Sequence, residues 1–153
     1  MENKRKIIKA LLFVLEHVAA TENEIQDKTG LPLVLQWRSV ASSPEQREKL
    51  INQIILTVCT GCGITPAQLQ EQNRKTILPV ARQLICYFSA RIIPDISIKE
   101  IGIAIDKNHS TVIHNIDQVN SLIDIEDEII MSVLENILPA IIKIKESLKD
   151  EQQ

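Results

Sequence analysis

Turn-forming and aromatic residues are scarce: the 153-residue chain has four Gly, six Pro, two Phe, one Tyr and one Trp. A β-sandwich or barrel needs punctuation roughly every 8–12 residues, so this composition excludes that class and favours long helices. Three Cys do not make the even-numbered framework of a small disulfide-bonded secreted protein, and a reducing cytoplasm is the expected setting. No uncharged apolar stretch approaches the roughly 20 residues that span a bilayer, so no membrane partner is expected. The opening MENKRK-IIKALLFVLEHVAA superficially resembles a signal peptide, but Lys9 and Glu16 interrupt it. Also missing are the phosphate loop G-x-x-x-x-G-K-[ST], H-E-x-x-H and G-x-S-x-G. No enzyme activity, nucleotide, cofactor or metal is therefore expected. A 44% hydrophobic content, with 17 Lys and Arg against 20 acids, describes a folded, soluble, mildly acidic domain.

The apolar spacing divides the chain into helices. Ile7, Ile8, Leu11, Leu12, Leu15, Val18 and Ala19 predict a first helix over 3–20. Residues 21–43 read as a connector with Trp37 plugged into a core. Ser43-Pro44-Glu45-Gln46 is a capping box that opens a second helix with Leu50, Ile51, Ile54, Ile55 and Val58 inward, stopping at Gly61 and Gly63. Thr65-Pro66-Ala67-Gln68 repeats the box before a short third helix. A fourth follows Thr76, with Val80, Ala81, Leu84, Ile85 and Phe88 inward, until Pro94 forbids propagation. Ser97-Ile98-Lys99-Glu100 then opens a two-turn helix, in which Gly102 permits a close approach. A turn at Asp106-Lys107 leads to Asn108, an N-cap for a helix with Val112, Ile116, Val119 and Ile123 inward. The last helix, about 126–149, has a broad apolar face of Ile129, Ile130, Val133, Leu134, Ile137, Leu138, Ile141 and Ile142, with a kink expected at Pro139.

A short helix, a tight turn and a longer helix starting Asn108-His109-Ser110-Thr111 form the layout of a helix-turn-helix, whose second helix offers its first residues to the major groove. Ser110 and Thr111 can bond phosphate or base edges, and the free amides of the first turn attract phosphate. Between Ile51 and Ile123 the chain resembles the C-terminal DNA-binding domain of the DnaA replication initiators. The matching motifs are Val80-Ala81-Arg82-Gln83-Leu84, Ser97-Ile98-Lys99-Glu100-Ile101-Gly102 and Asn108-His109-Ser110-Thr111-Val112-Ile113-His114. The resemblance implies an all-α, Trp-repressor-like fold and double-stranded DNA as partner. It further implies phosphate contacts from Arg82, Gln83, Arg91 and Thr111, and base reading by Asn108, His109 and Ser110. Arg74 falls, by ungapped spacing back from Arg82, where the family sends an arginine into the minor groove. Lys99, Lys107 and His114 complete the expected DNA-binding set.

The departures carry information too. Asn108 stands where the family usually has Asp; an amide suits adenine whereas a carboxylate accepts from cytosine, so an altered sequence preference is expected. The turn is one residue shorter than the family's Phe-Gly-Gly-Arg-Asp form, Lys99 replaces a common Pro, and only Lys75 adds charge beside Arg74. With no phosphate loop in these 153 residues, they are not expected to act as an initiator by themselves. Residues 66–122 hold six basic and five acidic residues, a net of +1, while residues 123–153 carry −5 and residues 1–9 carry +3. DNA binding would thus depend on a few placed contacts, on dimerisation, or on the N-terminal cluster Lys4, Arg5, Lys6 and Lys9 as an auxiliary arm.

Cys59-Thr60-Gly61-Cys62, with Cys86, has the spacing of part of a zinc site, but buried free thiols are the expected state. The division expected is 1–45 for an N-terminal helix and connector, 46–123 for the helix-turn-helix domain and 124–153 for a C-terminal helix and acidic tail. The expected function is sequence-specific duplex-DNA binding in replication initiation control or transcription regulation. The alternative is a protein-interaction module that retains the fold but not the DNA contacts, with a homodimer or another protein seated on the C-terminal helix.

Overall fold

A computed structural model describes residues 2–13, 15, 43–72 and 77–150. All regular structure among them is helical: α1 over 2–13, α2 (Pro44–Cys62), a 3-10 turn (Pro66–Gln70), α3 (Ile77–Ile92), α4 (Ile98–Ile105), α5 (His109–Asp124) and α6 (Glu128–Asp150). The expected end of the first helix near residue 20, the connector and Trp37 lie outside the described residues. No described helix is long and apolar enough to cross a membrane.

Local chemistry sets the ends. Ser43 accepts a hydrogen bond from the Gln46 amide at 3.1 Å with Pro44 in the first turn, and Gly63 closes α2 at φ 70°. The box at Thr65, in which the Thr65 N–H donates to Gln68 Oε1 at 2.8 Å, opens the short third helix, a 3-10 turn of five residues. At Ser97 the box is reciprocal: the Glu100 amide donates to Ser97 Oγ at 3.1 Å and the Ser97 amide to the Glu100 carboxylate at 2.8 Å. The last helix begins at Glu128, two residues later than its apolar pattern predicts. Asp127 supplies the cap there, its Oδ1 accepting from the amides of Ile129 and Ile130 at 3.1 Å each.

One apolar core runs through α1 to α6. α3 lies at its centre, packed on α2, α4 and α5, and is buried on nearly every side: Leu78, Cys86, Tyr87, Ser89 and Ile92 join the residues expected inward. α6 closes the opposite side against α2. Gly61 lies inside α2, and a Cβ there would collide with the Ile137 side chain, so the missing methylene is what lets α6 sit against it. Ile130, Val133, Leu134, Ile137, Leu138 and Ile141 are buried as their spacing predicts, but Ile129 is 41% exposed. It occupies the first turn of α6, beyond the edge of the packed face. The helix runs through Pro139, which faces solvent.

The N-terminal cations are not a free arm. Lys4 meets Glu135 at 2.8 Å, Lys9 and Arg5 meet Glu126 at 2.7 and 3.4 Å, and Lys6 pairs with Glu2 at 3.3 Å. Beneath them Ile8, Leu12 and Leu15 enter the core, and the Lys145 ammonium donates to the Leu15 carbonyl at 3.1 Å.

Candidate nucleic-acid interface

α4, the turn and α5 form the helix-turn-helix. Ile101, Gly102 and Ile105 of α4 and Val112, Asn115 and Val119 of α5 face the core. The turn closes in three steps. Asp106 adopts a left-handed conformation at φ 54°, its N–H turns back to the Ile103 carbonyl at 3.4 Å, and the Lys107 N–H donates to the Gly102 carbonyl at 2.9 Å. This is a Schellman-type ending with Asp where Gly is usual. Gly102 is needed for it: a Cβ would stand 2.5 Å from the Lys107 carbonyl oxygen and 3.6 Å from Val112 Cγ2. The close approach read from the sequence is therefore made mainly by the turn's own backbone.

This turn brings Lys99, Lys107, Asn108 and His109 around one open depression, together with Ile103 and Asp106. All four side chains are exposed, and no ion pair holds either lysine among the described residues. Asn108 caps α5 by accepting from the Thr111 amide at 2.8 Å, which leaves Thr111 half-buried behind it. Ser110 and His114 lie exposed on the outer face of α5. Between them the structure adds Ile113, 42% exposed, an apolar residue whose type gives no sign of an outward position. Asp117, one turn further on, is also exposed and places a negative charge on the same face.

The arginines are more deeply engaged. Arg82 donates to the Leu69 carbonyl from Nε and Nη2, at 2.9 and 2.7 Å, and from Nη2 to the Glu71 carbonyl at 2.6 Å. It thereby ties the end of the 3-10 turn to α3, with no further bond from Nη1 among the described residues. Gln83 turns its Oε1 inward, buried with no partner among the described residues. Arg91 donates to Asn120 Oδ1 at 3.1 Å and lies over the Tyr87 ring, 4.3 Å from its centroid, bridging α3 to α5. Arg74 lies outside the described residues.

A second brace joins α2 to α4: Arg47 Nε donates to Glu100 Oε1 at 2.7 Å. Hydrogen bonding from the Ser97 amide, reinforced by Arg47, holds the Glu100 carboxyl below the usual carboxylate range. Burial pushes the thiols of Cys62 and Cys86 up to about 11 and raises that of Cys59, so all three are protonated at neutral pH. Cys86 accepts a weak bond from Asn115 Nδ2 at 3.5 Å. Among the described residues no three His, Cys, Asp or Glu are placed to hold a metal ion.

Comparison with known proteins agrees with this geometry. The family described as the bacterial DnaA protein helix-turn-helix matches residues 51–119. A chromosomal replication initiator protein DnaA of Oleidesulfovibrio alaskensis is 34% identical over 83 residues, covering 54% of this chain and 18% of that protein. Its counterpart in Aliarcobacter butzleri is 26% identical over 137 residues, covering 87% of this chain and 30% of that protein. The chain thus spans less than a third of the length of these relatives. No solved structure matches. The short α4, the closed turn and the capped start of α5 all lie within residues 51–119, the stretch that matches the bacterial DnaA helix-turn-helix family.

Proposed function

We propose that this protein binds double-stranded DNA sequence-specifically, with α5 in the major groove, and that it acts in the control of replication initiation. The observation that carries the reading is the single exposed surface on which a Gly102-dependent turn gathers Lys99, Lys107, Asn108 and His109. Exposed lysines there neutralise phosphate and release counterions, while Asn108, His109, Ser110 and Ile113 face base edges. Thr111 presents its hydroxyl to the backbone, and Arg82, already fixed by the Leu69 and Glu71 carbonyls, offers Nη1 to a phosphate. Arg91 links α3 to α5 through Asn120, and Arg91 and Gln83 stand where the family makes its further phosphate contacts. Arg74, the family's minor-groove residue, would extend the contact beyond the described residues.

The test is fluorescence anisotropy with a DnaA-box duplex, a randomised duplex and a pool selected from random DNA, at several salt concentrations. Affinity should fall with salt, the selected pool should bind more tightly than random duplex, and Lys107→Ala should reduce the salt slope by about one phosphate contact. Absence of binding to every duplex at low salt would overturn the proposal in favour of an interaction module.

A further inference from the structure

The cap at Asn108 has a consequence for base choice. Its Oδ1 accepts from the Thr111 amide at 2.8 Å, so the oxygen is directed at the helix itself. On the same carbon the Nδ2 group points away from the oxygen. Asn108 is exposed beside His109 and Lys107 at the entrance of α5, so what it turns outward is a pair of N–H donors. The two-point pairing that lets a free Asn recognise adenine requires the amide oxygen to accept from the base amino group, and here that oxygen is already directed at backbone.

We infer that Asn108 is a specificity-determining residue that reads an oxo-bearing base, guanine or thymine, through Nδ2 and rejects cytosine. In the major groove guanine offers O6 and N7 and thymine offers O4, all acceptors; adenine sets an N6 donor beside its N7 acceptor, and cytosine offers only the N4 donor, which would confront the Nδ2 hydrogens. The expectation of an adenine preference, drawn from the residue type alone, is replaced by this one. An Asp at the same place would cap equally well and leave its second carboxylate oxygen outward, selecting the amino-bearing bases cytosine and adenine. The Asn-for-Asp exchange therefore inverts the hydrogen-bond polarity of one position without altering the helix.

The inference rests on the proposed DNA binding. Starting from the duplex selected by the wild-type protein, each position is replaced in turn by the other three base pairs, and binding is measured for the wild-type and Asn108→Asp proteins. One position should prefer G or T over C by roughly two- to tenfold in the wild type, the span of a single hydrogen bond, and should favour C or A in Asn108→Asp. Other positions should be unchanged between the two proteins. Equal thermal stability of the two will show that both residues cap. Identical profiles for the two proteins, or a wild-type preference for C at the position that changes, would overturn this inference while leaving DNA binding intact. Failure of both proteins to bind any duplex would overturn the DNA-binding reading as well.

Discussion

Replacing Gly102 by Ala sets two effects of opposite sign against each other. In an exposed helix interior the change stabilises by about 1 kcal/mol, because Ala is the better helix former. At Gly102 the new methyl would lie 2.5 Å from the Lys107 carbonyl oxygen, and that atom is backbone, held in place because the Lys107 N–H donates to the Gly102 carbonyl at 2.9 Å. Relief to an ordinary contact moves the turn by most of an ångström. Overpacking of this kind costs about 1–3 kcal/mol, and a weakened turn hydrogen bond adds about 1 kcal/mol. The clash wins, and the net loss should be about 2 kcal/mol, or roughly 4–8 °C in melting temperature for a chain of this size. Urea unfolding followed by circular dichroism measures it, with Ile103→Ala, at the exposed neighbouring position, as a control expected to stay within about 0.5 kcal/mol of wild type. Because the displaced segment carries Lys107 and Asn108, duplex affinity should fall as well in protein that remains folded. A Gly102→Ala protein as stable as wild type, or more so, would refute the close approach on which the interface is built.

Asp106→Gly should stabilise the turn by about 0.5–1 kcal/mol, since Gly adopts the left-handed conformation without the Cβ penalty, and thermal melting reports it. Arg82→Lys keeps the charge but loses the fork that holds the Leu69 and Glu71 carbonyls; a loss of about 1–2 kcal/mol in urea unfolding is expected, whereas a purely phosphate-binding Arg82 would leave stability unchanged. The lowered carboxyl of Glu100 contributes stability above its unfolded-state value that is lost as pH falls through the lower folded one. Melting temperature measured across the acid range should therefore decline less steeply in Glu100→Gln than in wild type, and parallel curves would count against the Ser97 and Arg47 bonds as its source.

Elements specified by neighbouring residues were readable in advance. Ser43, Ser97 and Asn108 announce their helices because a cap needs only a side-chain oxygen and an amide three residues on. The boundaries of α4 and α5 follow from those signals. What escaped the sequence depends on distant partners. α3 is buried nearly all round because three helices converge on it, and an apolar stripe records only one of those faces. Arg82 reads as a surface cation until the carbonyls of Leu69 and Glu71 at the end of the 3-10 turn meet it, and Glu126 reads as helix-surface charge until Arg5 and Lys9 arrive from more than a hundred residues away. Ile113 is of core type but sits on the outer face, so its hydrophobicity misdirects the eye. The helices and turn that carry Lys99, Lys107, Asn108 and His109 were therefore legible, while the internal bonds that Arg82 and Arg91 make were not.

The Glu126 corner bears on the length of duplex that the proposed DNA binding would cover. A cation paired with a carboxylate of its own chain must break or share that pair to reach a phosphate. Lys9 and Arg5 converge on Glu126 and Lys4 on Glu135, so α1 is clasped to the turn before α6 and to α6 itself. The footprint should then end where the helix-turn-helix surface ends. Lengthening a bound duplex toward α1 should add non-specific sites but no new grip.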